Sequence, residues 1–407
     1  MCEVRLMKKI RSLFQPAPVR ASYADAGDFL RVACVGLIGW YHIWQQSWLN
    51  PNLSIGRFNL RFYPLVAGGY MFVDLMLALS GFLLMLGWLS GRSRDLRSFY
   101  TARAARILPS YWLCMAILLF GFALPGNLYY GSSKHMWTDI LAHLSFTHNF
   151  FPESYSFTHL NGALWTLAVE VQFYLLFPLL AQLFERRPGA TYIGMVLIAI
   201  LSRTLMVMRL EDTTIYVNRL SAMLDVYANG MLAAWAYVRL QDAPSTTARA
   251  WINTALTILS AVLIYKILSA QLTRRGAEIV RQGQMLWRFP LSALGCAFLL
   301  CGSRSIRLLR GLFSNRITRF LSGISFNFYI WHQFLAVKLK EWRIPPSVSD
   351  APNRDCEQPW QSRYTLLCFA AALGAAILVT YAVEKPCARW IKRRLGSEKT
   401  LESKRSA

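Results

Sequence analysis

Two ionisable residues stand inside an otherwise apolar stretch near the start of the chain. Arg31 and His42 are eleven residues apart. On a helix their side chains would lie within about 20° of each other around the axis and about 16 Å apart along it. Ionisable residues in apolar segments usually mark function, and this face would offer a guanidinium for an anion and an imidazole for proton transfer. A snorkelling arginine and a core histidine would give the same pattern.

A second pair of basic residues suits phosphate binding. Arg103 and Arg106 are three residues apart, so they share one helix face. Two guanidiniums placed in this way can grip a phosphate in bidentate fashion. Ordinary positive charge at the cytoplasmic ends of membrane helices is the alternative interpretation.

Three further ionisable residues lie at the ends of apolar blocks: Asp74, Glu170 and His332. Together with His42 they fall in the outer half of the predicted membrane, which predicts one buried polar chamber. A structural network of ion pairs would look the same in the sequence.

A group of histidines superficially resembles a metal site. Asp139 and His143 are four residues apart, and His135, His148 and His159 lie nearby. No H-E-x-x-H motif or Cys/His ligand spacing supports zinc binding, so we predict no metal site. The sequence also lacks a Walker A motif, a G-x-G-x-x-G motif and a G-x-S-x-G motif.

Composition indicates where these residues must be placed. Of the 407 residues 55% are hydrophobic and 16% are charged, with 44 Lys and Arg against 21 Asp and Glu. The low charged fraction excludes a disordered chain and argues against a water-soluble enzyme. The apolar residues form long blocks, and the basic residues stand in the short gaps between them, as in a polytopic membrane protein rather than a nucleic-acid binder.

About ten apolar runs are long enough to cross a bilayer. They lie near residues 28–46, 66–90, 108–124, 162–183, 190–207, 219–238, 251–269, 286–302, 320–338 and 363–383. We therefore predict an all-α fold with both termini in the cytoplasm, which agrees with their basic character. The loop carrying Arg274, Arg275, Arg281 and Arg288 would lie outside, against the charge rule.

Three parts of the chain follow from this pattern: a basic cytoplasmic tail at 1–25, a membrane domain at 26–385 and a basic cytoplasmic tail at 386–407. Two long outer loops, 125–161 and 340–362, could form a lid or an acceptor-binding surface. The eight cysteines are scattered and predict no disulfide framework.

Taken together, the motifs resemble acyltransferase family 3, the integral-membrane acyltransferases that modify sugars of surface polysaccharides and other glycans. The segments that carry the resemblance are Asp28-Phe29-Leu30-Arg31 with His42, Val73-Asp74, Ser80-Gly81-Phe82-Leu83, Arg103-Ala104-Ala105-Arg106, Trp165-Thr166-Leu167-Ala168-Val169-Glu170, Phe173-Tyr174-Leu175-Leu176, Ile324-Ser325, Tyr329-Ile330-Trp331-His332 and Glu384-Lys385-Pro386. The departures from the family pattern are Phe29, Met76, Leu77, Thr166 and Val171. None removes a proposed catalytic group, and Phe29, Met76 and Leu77 would reshape the donor or acceptor pocket.

The resemblance implies acyl-CoA as a co-substrate, no permanently bound cofactor, phosphate binding by Arg103 and Arg106, and His42 as the essential base. We expect Glu170, or less readily Asp74, to orient the imidazole. The substrate-binding residues that we predict are Arg31, Arg103, Arg106, Ser80, Trp165, Tyr174 and His332. Ser80 and Thr166 are conceivable nucleophiles if the route is covalent.

The predicted function is O-acylation, with acetyl-CoA as the first candidate donor and a hydroxyl of a glycan or glycolipid at the extracytoplasmic face as acceptor. The expected partners are these substrates and the bilayer of the cytoplasmic membrane, without nucleic acid. A transporter or flippase with a proton relay of buried ionisable residues is the competing interpretation, and a membrane scaffold is the third.

Overall fold

A computed structural model describes residues 25–55, 58–91, 94–241, 244 and 246–396. The predicted N-terminal tail, apart from Asp25, lies outside the described residues, and so do the last eleven residues of the predicted C-terminal tail. Residues 386–396 belong to a helix that continues from the membrane domain.

The described part of the chain is almost entirely helical. Its longer helices are α1 (Asp25–Ser47), α2 (Phe72–Leu89), α3 (Leu96–Leu118), α4 (Ser133–Leu144), α5 (Trp165–Arg186), α6 (Pro188–Arg209), α7 (Leu224–Leu240), α8 (Thr247–Gln271), α9 (Ala277–Gly302), α10 (Arg316–Glu341), α11 (Trp360–Val379) and α12 (Lys385–Gly396). Strands β1 (Asn52–Ile55) and β2 (Phe58–Arg61) form an antiparallel hairpin after α1.

Shorter elements connect the helices. Short α-helices span Tyr63–Ala67, Pro152–Tyr155 and Arg307–Phe313. Single 3-10 turns occupy Gly69–Met71, His148–Phe150, Gly162–Leu164 and Leu220–Met223, and π-helical turns occupy Leu119–Ala123 and Thr380–Glu384.

Side-chain caps define where several helices begin. The Asp95 carboxylate accepts a hydrogen bond from the Ser98 amide at 3.0 Å and starts α3. The Asn315 side chain accepts from the amides of Ile317 and Thr318 and starts α10. Such caps satisfy amides that have no partner within the helix. Helix α3 therefore begins at Leu96, before the apolar run predicted from residue 108, and it includes the charged segment with Arg103 and Arg106.

The helices run between two ends of the bundle. Lys340 Nζ donates to the carbonyl of Gln46 at 2.9 Å, and Gln361 Nε2 donates to the carbonyl of Ser47 at 2.9 Å. The end of α1, the end of α10 and the start of α11 therefore meet beside the β1–β2 hairpin, at what we call the hairpin end. Arg31 and Ser322, near the starts of α1 and α10, meet at the other end, which we call the basic end.

Seven helical segments of the described residues are long and apolar enough to cross a membrane: Gly69–Leu89, Leu96–Ala123, Gly162–Arg186, Pro188–Arg209, Thr247–Gln271, Ala277–Gly302 and Trp360–Leu395. Helix α6 exposes large apolar side chains, among them Leu197, Leu201 and Met208, which suits contact with lipid. The chain is thus a polytopic membrane protein. Helices α1, α7 and α10 correspond to the other three predicted runs; they are shorter or more polar, and they pack within the bundle.

Two glycines let α2 and α7 pack backbone to backbone. A Cβ atom at Gly230 would lie 2.0 Å from the carbonyl oxygen of Ala78, and one at Gly81 would lie 2.8 Å from that of Tyr227. Either side chain would push the helices apart. This close contact fixes the turn of α2 that carries Ser80.

Buried ion pairs join the helices deeper in the bundle. Arg288 on α9 is fully buried and donates to Asp74 at 3.3 Å and to Asn218 at 2.6 Å. Arg203 and Asp225 form a second pair at 2.6 Å. Arg281 and Arg288 do not lie in a loop as expected, because α9 begins at Ala277 and includes both. Arg288 is an interior residue whose charge is compensated by Asp74.

Candidate functional site

A large basic cavity opens at the basic end of the bundle. It has a volume of about 880 Å³ and lies between α1, α3, α10, the turn after α11 and α12. Seven basic side chains and two acidic ones line it, so it attracts anions. The basic residues are Arg31, Arg103, Arg106, Arg319, Lys385, Arg389 and Lys392, and the acidic ones are Asp28 and Glu384. We call this cavity the basic vestibule.

The arginines of the vestibule are held by different contacts. Arg31 Nη1 donates to Ser322 Oγ at 3.5 Å. The Arg103 guanidinium lies 5.1 Å from the centre of the Phe99 ring and 5.8 Å from that of Tyr174, which orients it by cation–π attraction. Arg103 Nε is buried without a hydrogen-bond partner among the described residues. This buried donor remains available to a ligand.

A smaller cavity of about 120 Å³ continues inward from the vestibule and shares Arg31, Arg103 and Arg106 with it. On its wall, Ser80 Oγ donates to Glu170 Oε1 at 2.8 Å, and the Tyr174 hydroxyl donates to the same oxygen. We call it the inner chamber. It places the Glu170 carboxylate and the Ser80 and Tyr174 hydroxyl groups beside the cluster of arginines.

Tyr329 lines the inner chamber at its far side. Its hydroxyl accepts a hydrogen bond from Thr166 Oγ1 at 2.7 Å and donates to the carbonyl of Ala163 at 2.9 Å. The Tyr329 ring centre lies 5.4 Å from that of His332. Tyr329 therefore adjoins both the inner chamber and His332.

His42 and His332 form a pair nearer the hairpin end, with ring centres 5.2 Å apart. His332 Nδ1 lies 2.6 Å from the carbonyl of Tyr329, which can only accept, so this nitrogen carries the proton. Its Nε2 is buried and has no hydrogen-bond partner in the described part of the chain. His332 thus presents an unused lone pair close to His42.

Gln45 fixes the tautomer of His42 in the same way. Gln45 Nε2 donates to the Tyr41 hydroxyl at 3.0 Å, which turns its carbonyl oxygen toward His42. His42 Nδ1 lies 2.9 Å from that oxygen and donates to it. The other ring nitrogen, Nε2, is left with a free lone pair, as a general base requires.

The four ionisable groups expected in one chamber lie in three places. His42 is beside His332, Glu170 is in the inner chamber with Ser80 and Tyr174, and Asp74 is paired with Arg288. The expectation of a single chamber is therefore wrong, because equal depth in the membrane does not determine which side of a helix a residue occupies.

Trp165 is the remaining predicted site residue. It is the first residue of α5 and packs, partly buried, against the apolar core. Four of the predicted site residues do not line the inner chamber: Trp165, His42, His332 and Asp74.

The histidines near α4 form a cluster of their own. Asp139 accepts hydrogen bonds from Tyr129 at 2.7 Å and from Thr158 at 3.1 Å, and His143 Nδ1 lies 3.0 Å from its other oxygen. Burial favours a raised pKa for Asp139, but the bonds from His143, Tyr129 and Thr158 prevail and lower it. Nowhere in the described ranges do three His, Cys, Asp or Glu side chains form an arrangement suited to a metal ion.

Some residues of the site were not identified from the sequence. Gln45 follows His42 by three residues, and this spacing on a helix face was the available signal. Lys385, Arg389 and Lys392 recur at a spacing of four and three residues, which also indicates one helix face. Both spacings are common in ordinary helices. They indicate a site only when the structure shows a cavity beside them.

Comparison with known proteins agrees with the resemblance seen in the motifs. The profile of the acyltransferase 3 family, described as an acyltransferase domain, matches residues 26–380, and the chain belongs to that family. Residues 26–380 thus form an acyltransferase domain of this family, which favours the acyltransferase interpretation over the transporter and the scaffold.

Two curated proteins show what the chain is similar to. Peptidoglycan O-acetyltransferase OatA of Listeria monocytogenes is 24% identical over 287 residues, covering 65% of this chain and 44% of that protein. Nodulation protein 10 of Rhizobium leguminosarum bv. viciae is 27% identical over 186 residues, covering 41% of this chain and 47% of that protein. The matches thus span about half the length of these relatives. No solved structure matches the chain.

Proposed function

We propose that the protein transfers an acyl group, with acetyl as the first candidate, from acyl-CoA to a hydroxyl of a sugar or glycan on the extracytoplasmic side of the cytoplasmic membrane. The observation that carries the proposal is the continuity of the basic vestibule with the inner chamber through Arg31, Arg103 and Arg106. The name of the listerial relative, an O-acetyltransferase of peptidoglycan, supports an acetyl group and a glycan acceptor.

The donor would enter from the cytosol. In this proposal the chain crosses the membrane ten times and both termini are cytoplasmic, so the basic end faces the nucleotide pool, in agreement with the positive-inside rule. The CoA diphosphate would bind Arg31, Arg103 and Arg106, and Arg103 Nε would find its missing partner there. The pantetheine arm would then extend through the inner chamber toward the hairpin end.

The acceptor would meet His42 from the other side. In direct transfer, His42 Nε2 takes the proton of the acceptor hydroxyl while its oxygen attacks the thioester carbonyl. The new carbon–oxygen bond forms, the carbon–sulfur bond breaks, and the imidazolium returns the proton to the leaving thiolate. In this proposal the thioester would pass beside Tyr329, which lines the inner chamber and contacts His332.

A covalent route through Ser80 is the second candidate. Its support is the Ser80–Glu170 hydrogen bond in the chamber where the thioester would arrive. Glu170 would take the hydroxyl proton as Ser80 Oγ attacks the thioester, which gives an acyl-serine and free CoA thiol. In the second step the acceptor hydroxyl would attack the acyl carbonyl and lose its proton to His42, the bond from that carbonyl to Ser80 Oγ would break, and the proton would return to Ser80 Oγ.

The test uses radiolabelled acetyl-CoA and purified protein in proteoliposomes supplied with candidate glycans. We expect His42→Ala to lower label transfer by roughly 100- to 10,000-fold with unchanged CoA binding, because a general base contributes about that much. We expect Arg103→Ala/Arg106→Ala to weaken CoA binding. Arg186→Ala/Arg187→Ala, which removes two arginines outside the vestibule, is the matched control.

The outcomes separate the alternatives. Wild-type transfer by the His42 variant would contradict its role as the base, and an absence of CoA binding would contradict the donor. Label that stays on the denatured protein and disappears in Ser80→Ala, but not in Thr166→Ala, would establish the covalent route. Without such label, direct transfer stands.

A further inference from the structure

The basic side chains of the vestibule fall into two groups at different depths. Arg31, Arg103 and Arg106 line both the vestibule and the inner chamber, so they stand at the junction of the two cavities. Arg319, Lys385, Arg389 and Lys392 line the vestibule but not the inner chamber. The second group, which we call the outer cluster, is therefore more distant from the inner chamber.

Helix α12 is built to present this outer cluster on one face. Lys385, Arg389 and Lys392 occupy positions i, i+4 and i+7, which align along a helix. Arg319 joins them from the first turn of α10. Since α12 packs against α3, the outer cluster and Arg103 face one cavity.

The acidic residues of the vestibule do not cancel this charge. Glu384 Oε2 accepts from Asn327 Nδ2 at 2.6 Å, which holds the carboxylate in place without removing its charge. Two acidic side chains face seven basic ones in the whole cavity. The net positive charge of the vestibule is larger than the negative charge of one phosphate group.

We propose that the outer cluster on α12 and α10, with Arg389 and Lys392 at its centre, is a second anion subsite that binds the 3′-phosphate of the CoA ribose. This inference rests on the proposed function and deepens it. In CoA the thioester, the diphosphate and the 3′-phosphate follow in that order. With the thioester in the inner chamber, the diphosphate lies at the three inner arginines and the 3′-phosphate at the outer cluster.

The test compares the binding of radiolabelled CoA and 3′-dephospho-CoA to the protein in nanodiscs made from a neutral lipid. We expect the wild type to bind CoA about tenfold more tightly, as the loss of one charge-assisted contact predicts. Arg389→Ala should weaken CoA binding by about the same factor and change 3′-dephospho-CoA binding by less than about twofold. Lys392→Ala should act in the same direction.

Arg394→Ala is the matched control. Arg394 lies on the same helix, is exposed and does not line the vestibule, since it is about 140° around the axis from Arg389. This variant should bind both nucleotides as the wild type does.

Each contrary outcome has a distinct meaning. Equal wild-type binding of CoA and 3′-dephospho-CoA would overturn the second subsite and leave the proposed function intact. Binding of neither would overturn the proposed donor itself. If Arg389→Ala weakens both nucleotides equally, Arg389 does not distinguish the 3′-phosphate and the subsite is disproved.

Discussion

At the scale of single residues, the proton position on His42 depends on its neighbour Gln45. The Gln45 amide is itself fixed by Tyr41, so the chain Tyr41–Gln45–His42 selects one tautomer. In the proposed mechanism Gln45 is a positioning residue, since it acts on the acceptor only through the imidazole. Glu170, expected from the sequence to do this, is held by Ser80 and Tyr174.

Changing Gln45 should therefore alter the turnover rate and leave donor binding unaffected. We expect Gln45→Ala to lower kcat about tenfold. This loss is smaller than the roughly 100- to 10,000-fold contribution of a general base, because His42 itself remains in place. Gln45→Glu should restore the rate and move the acid limb of the pH–rate profile to higher pH, because a carboxylate beside Nδ1 stabilises the protonated imidazole.

The neighbouring Gln46→Ala is the control for this experiment, because the backbone carbonyl of Gln46, rather than its amide, accepts from Lys340. A pH–rate profile of Gln45→Glu that coincides with that of the wild type would exclude the positioning role.

Residue spacing predicted some of these contacts and not others. The Arg31/His42 spacing correctly predicts two residues on one helix, and α1 contains both. The pairing of His42 with His332 joins α1 to α10, nearly three hundred residues later in the chain. Such contacts depend on helix packing, which a single sequence does not determine.

At the scale of elements, the segment between α3 and α5 depends on a buried histidine. His148 is 1% exposed and stacks on His143 with ring centres 4.1 Å apart. Burial, and then the nearby His143, lower the pKa of His148 from 6.5 to about 3. Asp139, on the other side of His143, is the acidic group of this cluster.

This segment should lose stability in acid. The folded state leaves His148 neutral while the unfolded state protonates it below pH 6.5, so stability is complete above that value and falls as the pH drops toward about 3. The slope from one such group is up to about 1.4 kcal/mol per pH unit. We expect the Tm of purified protein, read by tryptophan fluorescence, to fall between pH 7 and pH 5.

His148→Phe keeps a stacked ring and removes the proton site, so its Tm should change less over the same pH interval. His135→Phe, at a partly exposed histidine of the same segment, should retain the wild-type acid sensitivity. An unchanged acid response in His148→Phe would show that another group is responsible.

The helices themselves were largely predictable. Each of the predicted apolar runs corresponds to a helix, because hydropathy reports burial in lipid or protein directly. The errors concern charged ends: α3 begins at Leu96 and α9 at Ala277, since caps and buried ion pairs let helices continue through charged segments. The Asp74–Arg288 pair shows why such helix ends were not predicted. Nothing in the sequence around either residue identifies the other as its partner.

At the scale of the whole molecule, two natural cysteines test the proposed orientation. Cys356 is exposed between α10 and α11 at the hairpin end, and Cys387 is partly exposed on α12 at the basic end. A membrane-impermeant maleimide added to intact cells should label the protein through Cys356, because the proposed topology places the hairpin end outside. Cys387 should react only after permeabilisation.

The two cysteine variants are controls for each other. Labelling of intact cells should disappear in Cys356→Ser and persist in Cys387→Ser. The reverse result would invert the topology and place the basic vestibule on the side of the membrane that lacks CoA.

Tyr329 lines the inner chamber, contacts His332 and is held by a 2.7 Å hydrogen bond from Thr166. A passage wide enough for a thioester would also admit water and hydronium ions. A membrane that stores energy as a proton gradient would then leak through every open enzyme molecule. In the proposed mechanism, a Tyr329 that leaves its hydrogen bond with Thr166 only while an acyl group passes would keep the bilayer electrically insulating at rest.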